Sequence, residues 1–445
     1  MSQMSGAARW LEPTANMATR RNVWLAGLIA LTTLLVLGNL ANDARLDLKY
    51  GYGWDIRVNC AAVDAYVGGL DPYFVKNLKG TKLSYPYLPV TLDVFRPLCA
   101  GGFLLDHYRG IFLVLAVLCG LLLPRLGRRG PSARDAALKV LCALGAFVGF
   151  EWVQASGNFA ILSGLLTAIA LRLLLPPPSS GALEGRNSLL RVAGAALLGF
   201  VMSFKLVFFP VLAALYFLPL PCGRKLALIA VATFSFALPI LISGLEYPDL
   251  FASWRLAMAR EIPDQHVVDL FEINPSLLLL ARNLMDHAGL GESKPVIFAT
   301  YACAALALVL VPFALSIFRV AVSQPAREGA SVLKRLDRWL MDHPRAAMRV
   351  TMLAMFALYL SSPRLKEYAF FELALYAAIL IVDLPALALA ACLSIGLLVP
   401  ALMSLLGAMI EGTFALLVVS LSCFWILLLD FRAEPKRLET EGAQP

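Results

Sequence analysis

Asp55 stands in Gly53-Trp54-Asp55-Ile56-Arg57-Val58-Asn59, at the start of a segment that reads as a helix through Val67. With a reference pKa near 3.9 the carboxylate is ionised at neutral pH and can take a proton from a hydroxyl as that oxygen forms a bond. The bland alternative is a helix N-cap, a place aspartate often fills. Far along the chain Lys205 interrupts an apolar stretch in Ser203-Phe204-Lys205. An ammonium there would either hold a phosphate or snorkel to a membrane surface. Glu151, Trp152, Gln154, Ser156, Gly157 and Asn158 form a second polar island between apolar runs, readable as turn capping or as a binding surface. Arg255, Arg260 and Arg364 are further cations available to a phosphate. These residue types permit base-assisted transfer to a hydroxyl, beside a phosphate whose charge is held by cations.

The elements that position such groups are set by composition. Of the 445 residues 60% are apolar and 15% charged, against about 45–50% and 25% in ordinary soluble domains. Apolar runs near the 18–20 residues that cross a ~30 Å hydrocarbon core recur along the whole chain, which excludes a soluble enzyme with one anchor. The net charge of +8 is not the signature of a nucleic-acid binder, because Lys and Arg cluster between the apolar runs. The eight cysteines form no CxxC pair, and His107, His266, His287 and His343 lie far apart, so neither a metal site nor a cofactor is expected.

An all-α, polytopic transmembrane protein follows, as one domain over 1–445. Spans are expected at 23–41, 110–124, 137–152, 157–175, 189–203, 206–218, 225–244, 296–318, 347–361, 368–382, 385–403 and 412–430, about twelve in all. The first run is too long for a secretory signal core, and Ala41-Asn42-Asp43-Ala44 is a poor cleavage site, so it is read as a retained span. With Arg9, Arg20 and Arg21 in the cytoplasm, both termini are cytoplasmic. The linkers carrying Arg125, Arg128, Arg129 and Arg134, then Arg172, Arg186 and Arg191, then Arg224 and Lys225 fall on the same side. So do the loop 319–347, with Arg319, Arg327, Lys334, Arg335, Arg338 and Arg345, and the tail 431–445 with Arg432, Lys436 and Arg437. Two long segments, 42–109 and 245–295, face the other side. Tyr87–Leu105 is apolar but holds Asp93, Arg96 and Pro97, and reads as an interfacial or re-entrant helix. Cys60 and Cys99 share the outer, oxidising compartment and are placed to pair if geometry allows.

Leu189–Pro219 as one helix would run roughly 46 Å and strand Lys205 midway. Two short helices turning at Ser203-Phe204-Lys205 resolve both problems, and 137–152 with 157–175 repeats the pattern. Chain ends and polar side chains at membrane depth need protein or a water-filled cavity around them. The two hairpins therefore predict a recess open to the outside, suited to a lipid-linked phosphate arriving sideways from the bilayer.

Several short motifs occur in order. Asp55 leads a small-residue helix ending in Gly69-Leu70-Asp71-Pro72-Tyr73, followed by Tyr85-Pro86-Tyr87. Later come Ser156-Gly157-Asn158-Phe159-Ala160-Ile161-Leu162, Ser203-Phe204-Lys205 with Pro210, Asn274-Pro275-Ser276-Leu277 with Arg282, and Ser361-Ser362-Pro363 with Tyr368. This series resembles the GT-C superfamily of integral-membrane glycosyltransferases, most closely the bacterial family 87 enzymes that use polyprenyl-phosphate sugars. The resemblance implies a bacterial inner-membrane enzyme with its site facing outward, and a polyprenyl-phosphate sugar as donor. It also implies a glycolipid or polysaccharide acceptor and inversion in a single displacement with Asp55 as base. Substrate contacts would come from Lys205, Arg255, Arg260, Asn158, Glu151, Asn274, Arg364 and Tyr368. Two departures touch substrate identity: the late motif runs Arg364-Leu365-Lys366-Glu367-Tyr368 where the family leads to a His, and no Gln precedes Asn158. A transporter or flippase of lipid-linked sugars, and a noncatalytic assembly subunit, are the competing classes.

Overall fold

The computed structural model describes residues 15–41, 52–126, 132–146, 149–176, 184–262, 274–291, 293–323, 331–405 and 414–442. Arg9, Arg128, Arg129, His266 and Arg327, residues 42–51 of the first outer segment and 443–445 of the tail lie outside the described residues. The described residues contain helices and turns and no strand.

In chain order the helices are α1 (Ala15–Ala41), α2 (Trp54–Val67), α3 (Val90–Cys99), α4 (Phe103–Leu122), α5 (Ala133–Leu141), α6 (Phe150–Ser156), α7 (Ala160–Leu174) and α8 (Glu184–Ser203). A 3₁₀ segment, Leu206–Phe217, leads to α9 (Cys222–Glu246), α10 (Pro248–Ala259), α11 (Leu277–His287), α12 (Lys294–Ala305) and α13 (Val311–Ser323). The last five are α14 (Val332–Asp342), α15 (Pro344–Leu360), α16 (Phe370–Ile381), α17 (Ala386–Leu405) and α18 (Phe414–Gly442).

Helix falls on each apolar segment expected to span, but fewer of these are long enough to cross a bilayer by themselves. Four stretches among the described residues have the length and apolarity for it: Val90–Leu122, Cys222–Glu246, Lys294–Ser323 and Phe414–Arg432. A fifth exists if Ala133–Gly145 and Phe150–Ser156, which meet at 47°, form one bent span. In the rest the apolar stretch is shorter, such as Asn22–Gly38, Ala160–Leu174 and Leu206–Phe217, so the expected total of twelve is not reached on length. Over Tyr87–Leu105, expected as an interfacial or re-entrant helix, the chain forms the shorter α3 and the start of α4, and α3 belongs to the Val90–Leu122 stretch that is long and apolar enough to cross a bilayer. α4 starts at Phe103 rather than 110, and the two are separated by Gly101 and Gly102 with φ of 71° and 72°, a left-handed turn that glycine makes without a steric penalty. α18 continues past the expected boundary at 430 to Gly442.

α16 is buried along its whole length and α15 along most of it, so this pair forms the centre of the bundle. Around it, α9 presents Leu226, Phe234, Leu241 and Leu245 outward, an apolar exterior suited to a lipid environment. Small residues let peripheral helices close on one another: a Cβ on Gly199 of α8 would meet the carbonyl of Ala232 on α9 at 1.9 Å.

The two ends of the bundle differ chemically. At one end Lys225 Nζ bonds Asp337 Oδ1 at 2.7 Å, Arg349 Nη2 bonds Asp430 Oδ2 at 2.7 Å, Arg125 pairs with Asp135, and Arg432 Nε donates to Ser316 Oγ at 2.7 Å. α9 begins beside this ionic end at Lys225. Its 25 residues carry the chain about 37 Å, to where Ser243 Oγ accepts from the backbone N–H of Val90 at 3.3 Å. α15 likewise starts near Arg349 and ends at Leu360, where the chain turns toward Tyr368. Asp55, Asn158 and Lys205 belong to this second end.

Candidate functional site

Asp55 sits in the first turn of α2, which opens at Gly53 in a left-handed conformation with φ of 73°. The N–H of Gly53 donates to the carbonyl of Ala155 at 2.7 Å, stitching the start of α2 to the last turn of α6. Gly157, at φ 68°, ends α6, and a Cβ there would lie 2.7 Å from Ile56. A larger residue would push α2 away from the turn carrying Asn158. The helix reaches Ser156, so Glu151, Trp152 and Gln154 lie within α6 and not in the expected turn; Glu151 is exposed on it.

Asn158 is buried and its amide is oriented on both sides. Its Oδ1 accepts from the N–H of Ala160 at 2.8 Å, which leaves Nδ2 to donate to Asp55 Oδ2 at 2.7 Å. Burial pushes the Asp55 carboxyl above its ordinary range. The Asn158 hydrogen bond, the positive charges of Lys366 and Lys205, and a bond to Ser156 pull it back.

Lys205 occupies the break between α8 and the 3₁₀ segment, as the length argument requires. The segment then packs on α15 through Phe208 stacked on Tyr359 at 3.8 Å. Lys205 Nζ lies 4.5 Å from the ring centre of Tyr368 and is buried without a hydrogen-bond partner. Asp55 and Glu372 are the carboxylates whose charge reaches it. Glu372, buried near the start of α16, accepts a 2.5 Å hydrogen bond from Ser163 Oγ of α7. A cavity of about 100 Å³ lies among α3, α7 and α8, walled by Phe95, Phe159, Leu162 and Phe200, with Asn158 and Lys205 among its few polar lining residues.

The third wall is the segment between α15 and α16. Pro363 O accepts from Asn274 Nδ2 at 3.2 Å and from Ser276 Oγ at 3.0 Å, Leu365 N donates to Asn274 Oδ1 at 2.5 Å, and Tyr301 OH donates to Ser361 O at 2.5 Å. Asn274 thus spends both amide atoms on this segment and shapes the site from behind. The segment carries Arg364, exposed, then Lys366 and Glu367. Burial lowers the Lys366 pKa, opposed by the nearby Asp55 charge, and raises that of Glu367 to about 7. Glu367 is 3% exposed, and its Oε1 has no hydrogen-bond partner.

Tyrosines form the wall facing α2. Rings of Tyr73, Tyr85, Tyr87, Phe95 and Phe159 follow one another at centroid spacings of 5.8, 5.7, 5.7 and 4.6 Å, with Tyr73 OH donating to the Tyr87 carbonyl at 2.7 Å. These contacts give Tyr73, Tyr85 and Tyr87 a packing role. Cys60 of α2 is disulfide-bonded to Cys99 of α3, with Cα atoms 5.3 Å apart.

The structure therefore brings Asp55, Asn158, Lys205 and Tyr368 close together, Asn158 and Lys205 lining the cavity, with Asn274 holding the segment that carries Tyr368 and the exposed Arg364. Arg255 and Arg260 do not join: they stand exposed on α10 and at its left-handed end, and the cations acting on Asp55 are Lys366 and Lys205. Lys366, Glu367 and Glu372 are members that sequence reasoning passed over. Two adjacent charges just ahead of an apolar run, and one carboxylate inside it, were the available signals. Among the described residues no group of His, Cys, Asp and Glu is arranged to hold a metal ion. Compared with protein family models, with curated proteins and with solved structures, the chain matches none.

Proposed function

We propose that the chain is a glycosyltransferase of GT-C type, which moves a sugar from a polyprenyl-phosphate donor to a hydroxyl of a glycolipid or polysaccharide on the outer face of a bacterial inner membrane. The observation that carries this reading is an oriented carboxylate, Asp55, whose charge reaches an ammonium, Lys205, that has no hydrogen-bond partner of its own. A buried amine without a partner is costly, and an anionic substrate group would satisfy it. The apolar cavity beside Lys205 suits the first units of a lipid tail, and the broken helices let a polar headgroup sit below the membrane surface. The twelve-segment topology belongs to the same proposal, because short helices around a recess need not each have full bilayer length.

The acceptor O–H gives its proton to the Asp55 carboxylate while its oxygen attacks the anomeric carbon. The bond from that carbon to the phosphate oxygen breaks, and the phosphate leaves with the electron pair. Lys205, with Lys366 nearby, stabilises the departing charge in a site of low dielectric. Asn158 keeps the carboxylate aimed and favours its ionised form.

The test is sugar transfer by the purified, lipid-reconstituted protein from a radiolabelled polyprenyl-phosphate sugar to membrane glycolipids. The wild type should form labelled product, and Asp55→Ala should lose it while keeping its thermal unfolding profile. Equal product from both proteins would remove Asp55 as base, and movement of label across the bilayer without a new glycosidic bond would favour a flippase.

A further inference from the structure

Glu372 is the one charged residue of α16, in Phe370-Phe371-Glu372-Leu373-Ala374, and it is 2% exposed. A carboxylate inside an apolar helix is expensive unless neighbours offset the loss of water. Two neighbours do so. Ser163 Oγ of α7 donates to Glu372 Oε1 at 2.5 Å. Lys205 supplies the opposite charge, and of the two carboxylates that reach it Glu372 acts more strongly than Asp55.

The placement follows from the backbone. Tyr368 stands four residues before Glu372, about one helical turn away, and its ring centre lies 4.5 Å from Lys205 Nζ. Ser163 lines the same apolar cavity as Lys205, and Glu372 stands behind it. Lys205 Nζ nevertheless has no hydrogen-bond partner, so Glu372 balances the ammonium without occupying its donors. An ammonium balanced in this way still attracts an anion. A second negative charge on that anion, however, meets the carboxylate at low dielectric, where like charges repel strongly.

We propose that Glu372 is a positioning residue that sets the charge of the ligand at Lys205, favouring a lipid-linked phosphodiester monoanion over the dianion of a phosphate monoester. The proposal rests on the glycosyltransfer reading, in which the donor is the diester and the spent carrier is the monoester, and adds how the carrier leaves. Charge is conserved during transfer, because Asp55 takes the acceptor's proton as the phosphate gains its second negative charge. Lys366 and Arg364, the other charges that reach Lys205, are unchanged by the step. Once Asp55 returns its proton to water, the dianion faces two carboxylates and is expelled.

The test uses the full-length protein in dodecyl maltoside micelles, which contain no phosphate, at pH 8, above the second pKa of a phosphate monoester near ~6. Calorimetric titration compares methyl farnesyl phosphate, a diester monoanion, with farnesyl phosphate, a dianion at this pH, and with dimethyl phosphate, which has no chain. The wild type should bind the farnesyl diester more tightly than the monoester. Glu372→Gln should shift the ratio of the two affinities about tenfold toward the monoester, since the lost repulsion acts on two charges instead of one. Glu372→Asp should keep the wild-type ratio. A glutamine variant that weakens both ligands without moving the ratio would overturn the proposal. So would a wild type that prefers the monoester, a result that stands even if the variant fails to fold. Dimethyl phosphate bound as tightly as the farnesyl diester would overturn the assignment to a lipid-linked ligand. The sugar-transfer assay separates the two ideas: a charge preference without transfer sinks the glycosyltransferase and leaves Glu372 in its role, whereas transfer without a preference sinks that role alone.

Discussion

Asp55 and Asn158, 103 residues apart in the chain, share a 2.7 Å hydrogen bond in which the amide donates to the carboxylate, and the other end of that amide is fixed by the first turn of α7. The bond fixes where the carboxylate points and how readily it ionises, so the two effects should separate on mutation.

Asn158→Ala removes a hydrogen bond that favours the charged form of Asp55. The carboxyl pKa should then rise further, moving the acidic limb of the kcat/KM profile to higher pH, with a rate loss of about tenfold or more at neutral pH. A pH–rate series on both proteins checks this; a lower rate with an unmoved acidic limb would mean that Asn158 serves packing alone.

Lys205→Met should raise KM for the polyprenyl-phosphate donor by about tenfold or more, since a charge-assisted contact to phosphate is worth about 1.5–3 kcal/mol. Lys205→Arg should recover part of it. Steady-state kinetics against donor concentration provide the measurement. A KM unaffected by the methionine would show that the ammonium merely rests on the Tyr368 ring.

Glu367 makes stability depend on pH. Its carboxyl is raised from 4.5 to about 7, so between those values the folded chain holds a proton that the unfolded chain has released. Stability from this group is therefore greatest in acid and falls as pH rises through that window, by about 3 kcal/mol as an order of magnitude. Glutamine does not titrate. The melting temperature of Glu367→Gln relative to wild type should climb between pH 5 and pH 8, and a constant difference across that range would contradict the assignment.

The Cys60–Cys99 bond ties the helix bearing Asp55 to α3. Replacing both by serine should cost about 2–4 kcal/mol of stability, read as a lower unfolding midpoint, and should match the loss seen on reduction of the wild type. No change on reduction would show that the bond does not form in the native protein.

Much of this arrangement was legible before any coordinates. The break at Lys205 followed from a stretch too long for one helix with a lysine inside it, and the polar island from Glu151 to Asn158 between two apolar runs marked the second break. The ends of α6 were not legible, since Glu151, Trp152 and Gln154 suit a helix and a polar turn equally well, and burial of α6 against Phe371 and the Glu367–Ala369 turn decides between them. Lys366 and Glu367 escaped because two adjacent opposite charges look like a solvated loop, whereas contacts from Asn274, Ser276 and Tyr301 fold that loop inward. Arg255 and Arg260 attracted attention as cations in a long outer segment, but helix phase and a left-handed cap place them outward, which one-dimensional spacing does not encode.

The central claim is that a lipid-linked phosphate sits on Lys205 with its sugar beneath Asp55. A structure of the full-length protein bound to a non-cleavable polyprenyl phosphonate sugar tests it most directly. The account predicts the phosphonate within hydrogen-bond distance of Lys205 Nζ and the anomeric carbon on the Asp55 side of it. A phosphonate bound among Lys225, Arg349 and Arg432 at the opposite end of the bundle would contradict it.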